Sequence, residues 1–181
     1  MPATLFSIAA LVVLVGVVIF RAIPAARAYF TYRGTRLIRC PETRTPEAIK
    51  IKAGKAAARS LWCDPELRLS QCSRWPERHD CGQECLRQVE ADPENCLLWN
   101  IVSGWYEGKS CVYCQKPFGP LHHLDHAPAL RAPDGKTAEW KEFQPQQLPE
   151  IFGTCQPVCW NCHVTETFRR EYPELVVERG R

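Results

Sequence analysis

Charge is missing from residues 5–20, LFSIAALVVLVGVVIF, where Ser7 is the one polar side chain. With Ala22 and Ile23 this apolar stretch reaches the roughly 17–25 residues that span a bilayer. A basic segment ahead of it is also missing, since Met1-Pro-Ala-Thr offers only the amino terminus. Ala26-Arg27-Ala28 has the small-x-small form of a signal cleavage site, but a secretory signal should open on basic residues, so an uncleaved anchor is expected. Acidic residues are missing from the flank that follows, which carries Arg21, Arg27, Arg33, Arg36 and Arg39. The positive-inside rule places such a flank, and the chain after it, in the cytoplasm, with the periplasm as the alternative. Anionic lipid headgroups are the partner this arm suits. Excess positive charge is missing from the remainder. Setting those five arginines aside leaves 18 basic against 20 acidic residues, a formal charge of −2. That balance argues against a nucleic-acid partner, because gripping phosphate backbones takes a positive field. No internal repeat and no long low-complexity tract is present, and the sequence names no protein partner.

Cysteine, by contrast, is abundant, with eleven residues. In an oxidising compartment they would read as disulfides, and in a reducing one as metal or redox sites. The odd number and the spacings favour metal. Cys111-Val-Tyr-Cys114 and Cys159-Trp-Asn-Cys162 are two Cys-x-x-Cys pairs flanking one segment. Each pair wraps one side of a tetrahedral ion, and four thiolates close a structural zinc site with no open coordination position. Cys72, Cys81 and Cys85 form a second set, with Cys40 as fourth ligand. Cys81 and Cys85, at i and i+4, would share one helical face. This set could take a second zinc or an iron–sulfur cluster, or could consist of small buried hydrophobes. Cys63 and Cys155 lack a paired spacing and are not expected to be ligands.

Hydrophobic pattern and turn residues supply the elements. Residues 22–32 continue the anchor as a helix, with Pro24 marking a kink or break. Residues 35–40, 48–52 and 67–70 read as strands, and 54–61 as a short helix. Asp80 is expected to cap a helix running to Ala91. Asp92 is expected to cap the next, with Pro93 in its first position. In that helix Leu98, Ile101, Val102 and Trp105 share a face, and Gly108 stops it. Pro133-Asp-Gly turns a hairpin over 129–143, 145–149 is a linker, and a last helix runs from about Asn161 to Tyr172. The tryptophans read as core side chains rather than base-stacking platforms.

The order Cys111-x-x-Cys114, Asp125-His126-Ala-Pro128, hairpin, Cys159-x-x-Cys162-His163 resembles the zinc-containing branch of the HNH endonucleases over residues 109–172. The resemblance implies a ββα metal motif held by a treble-clef-like zinc on the four cysteines. It also implies a divalent ion on Asp125 and His163, with His126 activating water. Such a site would make the protein a metal-dependent nuclease. An Asn usual in that family before the second pair is absent from Gly153-Thr-Cys-Gln-Pro-Val158, and Thr165-Glu-Thr replaces the Lys that often follows the histidine. A retained scaffold with lost or altered chemistry is therefore the expectation. The chain also looks like uncharacterised bacterial membrane-anchored, Cys-rich proteins.

Cys159, Cys162 and His163 are at the same time a c-type haem attachment signature. On that alternative the protein is a monohaem electron carrier. Met1 is the one methionine, so a distal ligand would have to be a histidine such as His122 or His126.

The whole reads as an α+β protein. A transmembrane helix at 1–23 and a basic juxtamembrane segment at 24–39 precede a Cys-rich α+β region at 40–108. A zinc-binding, HNH-like region at 109–172 and a tail at 173–181 follow. The expected role is structural or interactive rather than enzymatic.

Overall fold

The computed structural model describes residues 2–78 and 80–175, residues 2–6 by backbone alone. Most of the 173–181 tail lies outside the described residues. The chain divides into two units, Met1–Leu97 and Leu98–Arg181, each mixing helix with antiparallel sheet.

The first unit begins with α1, Pro2–Tyr32. Its Ser7–Tyr32 portion is long and apolar enough to cross a membrane, with a mean hydropathy of 2.5 and none of its most apolar window buried by protein. That is the composition of a membrane span or of a signal sequence. Pro24 lies inside the helix without ending it. The ring costs the bond to the carbonyl four residues back, and the bonds on either side carry the helix through. Gly34 then turns the chain at φ +95°, where an added Cβ would also press on Leu97 at 3.1 Å. Only glycine takes that conformation without strain.

Strands β1 (Thr35–Arg39), β2 (Pro46–Ile51) and β3 (Leu69–Cys72) form a sheet in that order, with α2 (Ala53–Arg59) between β2 and β3. Ile38, Ile49, Ile51, Leu67 and Leu69 meet Ala56 of α2 and Leu86 and Val89 of α3 (Leu86–Ala91) in one core. Arg36, counted above among the lipid-facing arginines, is fully buried. Its guanidinium donates to the carbonyls of Thr31 and Pro93, so it fastens the end of α1 to the domain. Arg21, Arg27, Arg33 and Arg39 remain exposed.

Two expected helix starts move. The helix expected from Asp80 begins only at Leu86, because Gln83 adopts φ +55° and breaks the turn ahead of it. Asp92 does cap a turn, its carboxylate accepting from the Asn95 N–H at 3.1 Å. That turn stops at Leu97, which bridges to Arg36, and α4 (Leu98–Tyr106) starts afterwards.

Helix α4 belongs to the second unit, so the division falls ahead of it rather than at residue 108. Leu98, Val102 and Tyr106, each one turn apart, enter a core with Leu130, Trp140 and Leu148. Strand β4 (Ala129–Arg131) pairs with β5 (Thr137–Glu139) across a Pro-Asp-Gly turn whose Gly135 sits at φ +86°. The stretch expected as a linker instead holds a 3-10 turn, Pro145–Gln147, and α5, Leu148–Thr154. Both open on proline in the first turn, where its missing N–H costs nothing. Strand β6 (Gln156–Val158) pairs with the other edge of β4, and α6 (Trp160–Glu171) follows.

Tyr106 has no exposed surface, and its hydroxyl donates to the carbonyl of Ala129 at 2.9 Å. Burial pushes its pKa far up, which keeps it a neutral donor. Tyr106→Phe should therefore strand a buried carbonyl and cost about 1–2 kcal/mol. The lowered denaturation midpoint of the second unit would report it.

Candidate metal centre

The first cysteine pair sits in a tight knuckle. Ser110 and Pro117 form a bridge, and the Cys111 N–H donates to the Lys116 carbonyl at 2.9 Å. The Gln115 N–H returns to the Cys111 carbonyl at 2.9 Å, and Gln115 closes the turn at φ +59°. A further bond, from the Val112 N–H to the Pro157 carbonyl at 3.0 Å, lays the knuckle against β6.

The second pair comes from a helix start. Cys159 is the residue before α6, in extended conformation, and Cys162 lies in the first turn. The α6 register therefore turns both sulfurs toward the knuckle. The ligand atoms of Cys111, Cys114, Cys159 and Cys162 all lie within 4.8 Å of one another.

A tetrahedral ion with metal–sulfur bonds of about 2.3 Å holds its sulfurs about 3.8 Å apart. The Cys114 and Cys159 sulfurs are 3.8 Å apart. The donor set therefore fits one thiophilic ion, and the four cysteines can hold a metal. The surrounding N–H groups favour thiolate. The Cys159 N–H points at the Cys111 sulfur at 3.3 Å. Burial alone would raise the Cys111 thiol, but the N–H groups of Cys114, Cys159 and Tyr113 outweigh it and bring the thiol down to about 6. Burial pushes Cys159 and Cys162 up, and the neighbouring sulfurs push Cys162 further. Four such groups share one small space, and a cation is what lets all of them ionise.

Of the residues matched to a catalytic ion, His163 directly follows Cys162, and His126 and His163 both pack on the ring of Trp160, which lies between Cys159 and Cys162. The Asp125 carboxylate accepts from the His122 N–H at 3.1 Å within its own loop. The exposed His126 ring stacks on Trp160, with centroids 4.8 Å apart and planes at 8°. His163 Nδ1 is 2.9 Å from the Thr137 hydroxyl of β5. Thr137 was not singled out by sequence, because its role depends on a hairpin register that no local signal fixes.

The second cysteine set lies in the first unit. Cys40, Cys72, Cys81 and Cys85 line one cavity of about 170 Å³. Cys81 and Cys85 are not one helical turn apart as expected, since Cys81 lies in the loop ahead of Gln83 and Cys85 is the residue just before α3. They reach the same cavity by a different route, with the Gln83 side chain accepting from the Leu69 N–H at 3.0 Å to hold that loop on β3. Burial, and after it the thiols of Cys72, Cys81 and Cys40, push the Cys85 thiol up to about 11. Cys40 behaves oppositely. Burial would raise it, but donors from Thr43, Glu42 and Arg74 bring it below its ordinary value. Arg74 was not foreseen, and its Nη1 stands 3.4 Å from the Cys40 sulfur.

Comparison with known proteins finds no matching family model, no significantly similar curated protein and no significantly similar solved structure.

Proposed function

We propose that the protein is a membrane-anchored zinc-binding module that serves as a structural or interaction unit at the cytoplasmic face. The observation that carries this reading is the convergence of Cys111, Cys114, Cys159 and Cys162 within 4.8 Å. A single ion on four thiolates is closed to substrate, so it holds the fold and leaves the work to the surface around it. Zinc suits four thiolates in tetrahedral array and needs no redox partner. The apolar helix supplies the anchor, and the four exposed arginines of its flank favour anionic lipid and a cytoplasmic domain.

The knuckle, hairpin and helix that bring the cysteines together support a treble-clef-like arrangement and, with it, an HNH-like scaffold that has lost its chemistry. The absence of an Asn before the second cysteine pair and Thr165-Glu-Thr in place of a Lys favour a degenerate site over a nuclease. A c-type haem needs the sulfurs of Cys159 and Cys162 as thioethers. Their packing against Cys111 and Cys114 favours the metal ion instead.

Two measurements on the full chain test this. Membrane fractions should yield protein with one tightly held zinc per chain and no covalent haem stain after denaturation. A reporter fused after Arg181 should be active on the cytoplasmic side. Covalent haem, or activity confined to periplasmic reporters, would overturn the proposal.

A further inference from the structure

We propose that Cys40, Cys72, Cys81 and Cys85 hold an iron–sulfur cluster, at a site distinct from the zinc centre and independent of it. Four cysteines from separate points of the chain converge there: one after β1, one at the end of β3, one in the following loop and one at the start of α3. All four are free thiols. Cys85 belongs to the hydrophobic core and Cys72 packs against it, but Cys40, Cys72 and Cys81 keep exposed surface, which a purely apolar role does not require.

Size separates this set from the first. Among the described residues, the Cys111 set is the one whose ligand atoms all close to within 4.8 Å. The Cys40 set stands around a cavity of about 170 Å³ instead. One ion draws four sulfurs together. A polynuclear cluster places its own irons and sulfides between the thiolates and so takes a wider ring.

The walls suit such a guest. Ile38, Leu69 and Trp75 give the cavity an apolar side. On the polar side the Arg74 guanidinium donates to the Cys40 sulfur, 3.4 Å away, while also pairing with Glu42. Donors to cysteine sulfur and exclusion of solvent are the means by which proteins set cluster potentials. Four thiolates on a cluster leave net negative charge; Arg74 and Arg78 line the cavity together with Glu42, Glu47 and Glu84, and Arg74 is the cation that reaches a sulfur.

The test uses the full chain in detergent, purified without oxygen and reconstituted with ferric iron, sulfide and a thiol reductant, which supply the ferric centres and reduce part of the iron where a four-iron cluster forms. Iron, acid-labile sulfide and zinc are measured alongside visible absorption. Wild type should carry iron and sulfide in equal amounts, with a broad visible charge-transfer band. Cys81→Ser should lose that band and most of the iron, and its zinc should stay near one per chain. Arg74→Gln keeps all four thiols and serves if Cys81→Ser does not fold. It should retain the cluster at a lower reduction potential. A second zinc that Cys81→Ser removes, without sulfide, would overturn the proposal in favour of a mononuclear site. Absence of sulfide from reconstituted wild type would overturn it outright. Retention of the band and iron in Cys40→Ser would overturn Cys40 as a ligand, and an unchanged potential in Arg74→Gln would overturn the role given to Arg74.

Discussion

Cys114→Ser should release the metal of the second unit and unfold that unit with it. Binding of a structural zinc is worth about 10–16 kcal/mol, against a total stability of about 5–15 kcal/mol for an ordinary domain. The unit's own packing is thin at this end. The cluster around the cysteines has Cys111, Ala129 and Val158 as its buried residues. Little apolar area there replaces the ion once a ligand is gone. Cys114 is the informative choice because it is exposed, so serine at this position creates no cavity and the loss is one of coordination. His126→Ala is the counterpart. Its ring is exposed and touches Trp160 by stacking, a contact of about 0.5–1.5 kcal/mol. Zinc content should stay at the wild-type level and the melting temperature should fall slightly. Elemental analysis and thermal melting of both full-length variants in detergent check this. Equal zinc loss in the two would make His126 a ligand of the same site, and the HNH-like assignment would fall with that result.

The cysteine centre was readable because its chemistry is written in short spacings. A Cys-x-x-Cys pair makes its own knuckle or helix turn, and the Pro-Asp-Gly turn fixes the hairpin between the pairs. What sequence left out depends on distant partners. Arg36 lies among arginines of the same flank, and nothing local distinguishes the one that the sheet buries. Gly82 stands just ahead, but the left-handed residue is Gln83, a type that rarely adopts it, so by their i, i+4 spacing Cys81 and Cys85 read as neighbours on a helix. They meet Cys40 and Cys72 through the packing of a loop on β3. Pro145 and Pro149 read as a linker, because proline marks both a break and a helix start. Only Leu148, Ile151 and Phe152, the apolar side chains around Pro149, decide for α5 by packing into the core. Cys155-Gln-Pro-Val158 shows no strand alternation, and β6 exists because β4 offers it a free edge.

Arg36→Met should destabilise the first unit by about 2–4 kcal/mol. Each hydrogen bond from a charged donor is worth about 1.5–3 kcal/mol, and Arg36 makes two, to the carbonyls of Thr31 and Pro93. Part of that gain is offset, because burial disfavours the guanidinium charge and lowers its pKa. The methionine variant recovers this penalty but leaves both carbonyls without their donor. Arg36→Lys separates the clamp from the charge. Lysine keeps the positive charge that orients the flank but has a single nitrogen in place of the planar fork, so it cannot reproduce both bonds in that geometry. It should lose nearly as much stability as methionine. Membrane orientation should stay as in wild type for both, because Arg21, Arg27, Arg33 and Arg39 carry the exposed charge. Metal content should not change, since the four clustered cysteines belong to the other unit. Chemical unfolding of the full chain, followed by a probe in the first unit, measures the shift. If Arg36→Lys is as stable as wild type, the buried fork does not hold the end of α1. The anchor would then be held to its domain by the packing of α1 on α2 and by the Arg21 bond to the Leu61 carbonyl.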